Sequence, residues 1–349
     1  MKNEKRKTKN EKRDDSSSFV SRLSSFDNAI ALLPPVSEMM RAAGLEPKKS
    51  LGQNFLFDLN LTGRIARSVP NISDTTVVEV GPGPGGLTRA LLSAGAKRVI
   101  AIEKDKTTEP ILRQIQTAAG KTADGDDRLK IIYGDALKFP FAPFGGEGVD
   151  ASNASGRGSR GLKSLTPTPS ALPTPLPQGK GNLDREKFAI CSNLPYNIGT
   201  ELLIRWLHDL KEITSMTLMF QREVAERIVA KPGTPAYGRL SVLVAMVADA
   251  KILFNVPRTA FTPMPKVESA VVQIFPKNVG ARRDAPRAAR EPPLQKIESL
   301  TAKLFGQRRK MIRGIIPGVD WKKFGLTGTE RAEELSPEKF AELAAAGVV

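Results

Sequence analysis

Apolar residues along the chain fall into two alternating rhythms. Short runs rich in Val and Ile, as at 76–80 and 99–102, are interleaved with stretches whose apolar positions recur at i, i+3, i+4 and i+7, as Leu87, Ala90, Leu91 and Ala94 do before Gly95. The first pattern fits a strand buried on both faces and the second the buried stripe of a helix. Further strands are predicted at 129–133, 188–192 and 217–220, and the apolar runs at 252–256 and 270–275 should complete the same sheet. Strand and helix alternate from about residue 36 to 139, which predicts an α/β fold: a Rossmann-like, mostly parallel, doubly wound sheet.

Residues 144–183 break the rhythm. They are Gly/Ser-rich and carry five prolines from Pro167 to Pro177, so they cannot bury a core and are expected to form a disordered insert. After Pro276 the composition shifts again, with ten basic residues against three acidic ones between Ala281 and Arg313. A helix is predicted over 301–312, with Leu304, Phe305, Met311 and Ile312 on its apolar face and Arg308, Arg309, Lys310 and Arg313 around it. A last helix should begin at Ser336-Pro337-Glu338, with Ser at the N-cap and Pro at N1. The expected division is a disordered charged tail at 1–28, the α/β domain at 29–276 and a small basic helical domain at 277–349.

Charge narrows the partners. Lys and Arg number 53 against 37 Asp and Glu, a formal net charge of +16, while 40% of the residues are apolar, enough for a substantial core. That excess points to a polyanionic partner such as nucleic acid, with a merely well-solvated basic surface as the competing reading. Cys191 is the single cysteine, so an internal disulfide and a Cys/His zinc site are excluded, and a reducing, cytoplasmic setting fits. Neither a secretory signal nor a run of 18 apolar residues occurs, so no membrane partner is expected.

The turn Gly81-Pro82-Gly83-Pro84-Gly85-Gly86 follows a predicted strand and opens a helix, where ligands bind in open α/β sheets. Its glycines at 81, 83 and 86 satisfy the dinucleotide pattern, and Glu103, twenty residues beyond Gly83, could hold a ribose in either kind of enzyme. The prolines favour one side. A pyrophosphate wants backbone N–H donors, and Pro82 and Pro84 have none, so a cofactor without phosphates, such as S-adenosylmethionine, suits this turn better. Asp135, just after Gly134 at the end of a strand, is placed to accept from the cofactor's adenine amino group. The competing readings put Asp135 at a helix cap and Glu103 on the surface.

Asn193-Leu194-Pro195-Tyr196-Asn197 comes straight after the strand at 188–192, beside the glycine turn at the carboxyl edge of the sheet. An adenine amino nitrogen is a poor nucleophile because its lone pair is delocalised into the ring. A methylase of that nitrogen needs two acceptors for its hydrogens, which Asn193 and the Leu194 carbonyl can supply; Pro195 adds no competing N–H. Tyr196 offers a stacking surface for an extruded base. His208 reads as a packing or exposed residue and Cys191 as a buried thiol, neither as a catalyst.

These stretches together resemble the ribosomal RNA adenine dimethyltransferases. The resemblance is carried by Lys49-Ser50-Leu51-Gly52-Gln53-Asn54-Phe55-Leu56, the glycine turn, Ala101-Ile102-Glu103-Lys104-Asp105, Gly134-Asp135-Ala136-Leu137, Asn193 to Tyr196, Phe220-Gln221-Arg222-Glu223-Val224-Ala225, and Phe261-Thr262-Pro263-Met264-Pro265-Lys266-Val267-Glu268-Ser269. It implies a class I methyltransferase that uses S-adenosylmethionine, without metal, on two adjacent adenosines near the 3′ end of small-subunit rRNA. The immature small subunit would be its partner and a monomer its working form. It implies further that Asn54 and Leu56 close over the cofactor, that Gly81, Gly83, Glu103 and Asp135 line it, and that Asn193 touches both cofactor and target. Phe261 is implied to face Tyr196 across the flipped adenine, and residues 303–310 to meet rRNA phosphates. The insert and the charged N-terminus depart from the family pattern, which loop-closure entropy tolerates because its cost grows slowly with length. A large-subunit rRNA adenine methyltransferase, a non-enzymatic ribosome-assembly or transcription factor and a nicotinamide dehydrogenase are the rival readings. The basic C-terminal segment argues against the first, the intact acceptor loop against the second and the prolines of the turn against the third.

Overall fold

In the computed structural model the described residues are 25–48, 52–138, 186–277 and 293–348. The insert, most of the N-terminal tail and the 281–292 part of the basic stretch lie outside them. Nine strands occur among the described residues: β1 (Phe55–Leu56), β2 (Thr76–Val80), β3 (Arg98–Glu103), β4 (Leu129–Tyr133), β5 (Phe188–Asn193), β6 (Ile213–Gln221), β7 (Ala248–Val256), β8 (Phe261–Thr262) and β9 (Ser269–Pro276). Seven of them form one sheet in the order β4-β3-β2-β5-β6-β9-β7. The pairs from β4 through to β6 are parallel, and β9 runs antiparallel to both β6 and β7. The expected doubly wound, mostly parallel sheet is therefore present.

Its order locates the site. From β2 the chain works outward through β3 to β4, then returns to place β5 on the other flank of β2, with Val77 opposite Ala189 and Val78 opposite Ile190. The carboxyl ends of β2 and β5 thus diverge at a topological switch point, where an open α/β sheet forms its ligand crevice. The central strands need no alternation of polar residues because both faces are covered; all five residues of β2 are buried, as are Val99, Ala101, Ala189 and Cys191. The burial of Cys191 agrees with its reading as a buried thiol.

The helix Gly86–Ser93 starts directly from the glycine turn and buries Leu87, Leu91 and Leu92. Arg89, in the same helix, is almost fully buried and donates to the carbonyls of Ile30, Leu33 and Pro34. It caps the end of the helix Ser25–Leu32, so regular structure begins inside the segment expected to be tail.

Three boundaries differ clearly from the sequence pattern, one of them that of β7, which starts at Ala248, four residues before the expected 252. Strand β6 starts at Ile213, four residues before the expected 217, because Ile213 pairs with Phe188 and, after a register shift that skips Thr214, Ser215 and Met216 continue the ladder. The C-terminal basic helix runs from Leu294 to Phe305, not over 301–312. Ile297, Leu300, Thr301 and Leu304 form its buried stripe, and Gly306 ends it. Ile312 begins a separate short helix, while Met311 is exposed in the link between them. The terminal helix Pro337–Ala345 is capped as expected, with Ser336 accepting from the Lys339 amide. Helices Leu294–Phe305 and Pro337–Ala345 pack on the helix Arg239–Val247 and belong to the same compact unit as the sheet.

Candidate active site

The glycine turn spends its own amides. Gly81 donates to the Ile102 carbonyl, Gly83 to Glu103 Oε2 and Gly85 to the Pro82 carbonyl, each at 2.9 Å. Pro82 and Pro84 have no amide hydrogen. No N–H of residues 81–85 is left to cradle a diphosphate. This geometry argues against the dinucleotide reading, whereas a phosphate-free adenosine cofactor needs no such donors. Gly86 lies against β1: a Cβ there would come within 2.5 Å of the Leu56 carbonyl oxygen. The close approach of Leu56 to the turn therefore depends on a residue without a side chain.

Four acids lie around the turn, two of them held above and two below the usual carboxylate range. Glu103 is buried, accepting from Gly83 through Oε2 and from the Asp105 amide through Oε1 at 2.7 Å, so the surface alternative for it is excluded. Burial raises its pKa, while the backbone donors from Asp105 and Gly83 work against the rise. Asp135 accepts from the Leu137 amide at 3.0 Å and from Lys104 Nζ at 2.9 Å. The Lys104 hydrogen bond, followed by that of the Leu137 amide, holds its carboxyl below the usual range. Asp135 both caps the turn after β4 and lines the cleft; the two readings of it are compatible. Burial pushes the Asp105 carboxyl up, but donors from Lys48, Thr107 and Gln53 outweigh this and bring it to about 2. Glu79, fully buried in β2, is pushed up to about 8 by burial; the Thr88 hydroxyl bound to it at 2.6 Å opposes the rise and nearby Glu103 adds to it.

The acceptor loop faces this turn across one cleft of about 1190 Å³, its open mouth included. Asn54, Leu56, Gly81, Gly83, Glu103, Asp135, Asn193, Leu194, Pro195 and Tyr196 all line it. Asn193 Nδ2 donates to the Asn54 carbonyl at 3.1 Å, which leaves its side-chain oxygen as the free acceptor of that amide. The Leu194 side chain is buried and anchors the loop, while the carbonyl of Pro195 takes the amides of Ile198 and Gly199. Among the described residues no hydrogen bond is made to the Leu194 carbonyl. Tyr196 is half-buried, its hydroxyl 2.6 Å from Ser269 Oγ at the start of β9. Burial raises its pKa, with the Ser269 contact opposing.

Phe261 is the exception among the expected residues. It is buried at 3% exposure in the hydrophobic core and does not line the cleft. Its backbone pairs with Leu56 in the small β1–β8 ladder, so it supports the strand beside the cofactor turn and has no open face for a base. Conversely, sequence patterning gave no role to Lys48, Gln53, Asp105, Glu79 or Ser269. Polar residues in a glycine-containing loop carry no periodicity, and a carboxylate's donors are fixed only when distant segments meet.

No group of three His, Cys, Asp or Glu among the described residues is arranged to hold a metal ion. His208, at the end of the helix Gly199–Leu207, pairs with Glu298 instead. In the basic C-terminal segment Arg308 is already engaged, through Nε to Glu333 at 2.6 Å and Nη2 to the Pro235 carbonyl at 2.8 Å. These contacts tie two segments of the protein together, and the Arg308 side chain remains exposed at the surface. Arg309 and Lys310 are exposed beside it. No helix among the described residues is long and apolar enough to cross a membrane.

Switch-point cleft, internally satisfied glycine turn and paired acids define an S-adenosylmethionine-dependent methyltransferase of the Rossmann-like class I type. Solved structures of similar fold include a dimethyladenosine transferase from Plasmodium falciparum (TM-score 0.56, 21% identity, 84% of this chain and 98% of that one) and the 23S rRNA methyltransferase ErmE (TM-score 0.53, 21% identity, 83% and 98%). A family model described as ribosomal RNA adenine dimethylase matches residues 44–346, and the chain belongs to that family. Among its curated relatives, proteins named Ribosomal RNA small subunit methyltransferase A are 44% identical over 318 residues in Mesorhizobium japonicum (89% of this chain, 97% of that protein) and 46% identical over 325 residues in Brucella suis (90% and 98%).

Proposed function

We propose that this chain transfers methyl groups from S-adenosylmethionine to the exocyclic amino nitrogens of two adjacent adenosines near the 3′ end of small-subunit rRNA, acting in the cytoplasm as a monomer on the immature subunit. The observation that carries this reading is the Asn193 side chain. It projects from the end of β5 into the same cleft as the glycine turn, its amide nitrogen committed to Asn54 and its oxygen free.

Each residue then has a task. Glu103, already fixed by two backbone amides, has lone pairs left for ribose hydroxyls, and the ionised Asp135 suits an adenine amino group. In the first transfer Asn193 Oδ1 and the Leu194 carbonyl accept the two hydrogens of the target amine, and in the second one of them accepts the hydrogen that remains. These contacts draw the nitrogen away from planarity, and the proton lost in each transfer passes to water. Tyr196, anchored by Ser269, holds a ring against the extruded base, which must leave its stack to enter the cleft. S-adenosylmethionine supplies a methyl group already activated on a sulfonium, so the protein need not provide a strong base. The exposed cations Arg309 and Lys310 are assigned to rRNA phosphates, whose contact positions the substrate without reading sequence.

The deciding experiment incubates the purified protein with labelled cofactor and unmethylated small subunits and locates the label in the rRNA by mass. Two adjacent dimethyladenosines near the 3′ end are expected; label in large-subunit rRNA alone, or none, would overturn the assignment. Asn193→Ala should abolish transfer and leave RNA binding nearly intact, since it removes an acceptor and no phosphate contact. Equal loss of both would remove Asn193 from the reaction.

A further inference from the structure

A path of hydrogen bonds, completed by the one covalent step from Gln53 to Asn54, joins the cofactor turn to the acceptor loop through a residue that lines neither. Asp105 sits two residues beyond Glu103, almost fully buried, and is absent from the cleft wall. Its amide donates to Glu103 Oε1, and Glu103 Oε2 takes the Gly83 amide. Its carboxylate accepts at Oδ1 from Lys48 Nζ (2.8 Å), the Thr107 hydroxyl (2.7 Å) and the Thr107 amide (3.1 Å), and at Oδ2 from Gln53 Nε2 (3.1 Å). Gln53 Oε1 in turn accepts from the Lys48 amide at 2.7 Å. The residue after Gln53 is Asn54, whose carbonyl holds Asn193.

A cap for the short 3-10 turn Lys106–Thr108 needs only the Thr107 contacts. The remaining donors come from a segment more than fifty residues away in sequence, so the carboxylate also serves as a junction between β3 and the residues flanking the acceptor loop. Setting a second carboxylate beside the buried Glu103 is electrostatically unfavourable, and Lys48 supplies the compensating charge.

We propose that Asp105, with Lys48 and Gln53 as its donors, is a positioning residue for methyl transfer: it fixes the backbone at Asn54 so that this carbonyl orients the Asn193 side chain. The proposal rests on the reading of Asn193 as an acceptor at the reacting nitrogen. Displacing a reacting group by 1 Å costs up to about a hundredfold in rate, so a partial release of Asn193 is expected to cost roughly tenfold.

The test uses the full chain with Asp105→Asn, Lys48→Met, Lys48→Arg and Asn193→Ala. A carboxamide keeps a cap oxygen for Thr107, because Asn caps about as well as Asp, but offers only one acceptor and no charge. Lys48 is itself exposed, so Lys48→Met disturbs packing less than a change at the buried carboxylate and keeps the proposal testable if Asp105→Asn does not fold. Asp105→Asn and Lys48→Met should each lower kcat roughly tenfold with the KM for small subunits unchanged, and Lys48→Arg should restore most of the rate. In protein labelled with 15N-asparagine, the side-chain amide signal of Asn193, identified by its loss in Asn193→Ala, should shift and exchange faster with solvent in both slow variants. Wild-type kcat in both variants, or a lowered kcat with the Asn193 signal unmoved, would overturn the positioning role while Asn193→Ala remains inactive. An active Asn193→Ala would instead overturn the acceptor reading itself.

Discussion

Replacing Glu79 by glutamine isolates the effect of burying a carboxyl under the cofactor turn. Glu79 is fully buried, with the Thr88 hydroxyl as its close donor and Glu103 nearby, and its pKa rises from 4.5 to about 8. The unfolded chain releases this proton above pH 4.5; the folded chain keeps it until about pH 8. The folded state therefore binds more protons between those limits, and stability is lost as pH rises through the window and is flat above it. At about 1.4 kcal/mol per pH unit, the loss by pH 7 is on the order of 3 kcal/mol. The substituted carboxamide does not titrate, is nearly isosteric with the protonated acid and keeps an oxygen for Thr88. Wild type and Glu79→Gln should match within about 1 kcal/mol at pH 4.5, and the variant should gain steadily to pH 8. Urea unfolding of both proteins at several pH values across that window measures the difference and removes the pH dependence they share. A difference that is constant across the range, or that moves towards the wild type as pH rises, would show Glu79 ionised in the folded protein and refute the argument.

Further outcomes are expected at three other places. Gly86→Ala puts a Cβ against the Leu56 carbonyl and must push β1 off the turn, at about 1 to 3 kcal/mol of strain; calorimetric titration with S-adenosylhomocysteine should show affinity weaker by roughly tenfold, and unchanged affinity would mean that β1 is free to shift. Arg308→Gln should lower thermal stability by breaking its contacts to Glu333 and Pro235, while Arg309→Gln should leave stability alone and reduce the salt slope of rRNA binding by about 0.7 to 0.9. The reverse pattern in melting and salt-titration data would exchange their roles. Because Asp105 titrates near 2, its stabilising contribution is complete above pH 3.8 and disappears as pH falls through 2, so Asp105→Asn should converge with the wild type in acid unfolding experiments.

Local pattern and turn chemistry determined much of this protein on their own. Runs of buried Val and Ile have one stable environment, the middle of a sheet covered on both sides, so β2, β3, β4 and β5 were legible to within about a residue. Prolines in the glycine turn argue against a diphosphate from the sequence alone, and Asn193 follows a strand whose end opens onto the ligand crevice. The C-terminal helix lies earlier than its charge cluster suggests, because the spacing of Ile297, Leu300, Thr301 and Leu304, and not the cations after them, marks where it packs. Tertiary structure alone decided which polar groups were already taken. Gly83 is bound to Glu103, Asn193 to Asn54, Arg308 to Glu333 and Pro235, and Phe261 is closed into the core. A sequence states what each side chain can donate or accept, but the partner that uses it comes from a segment tens of residues away, and only the packed chain brings the two within about 3 Å.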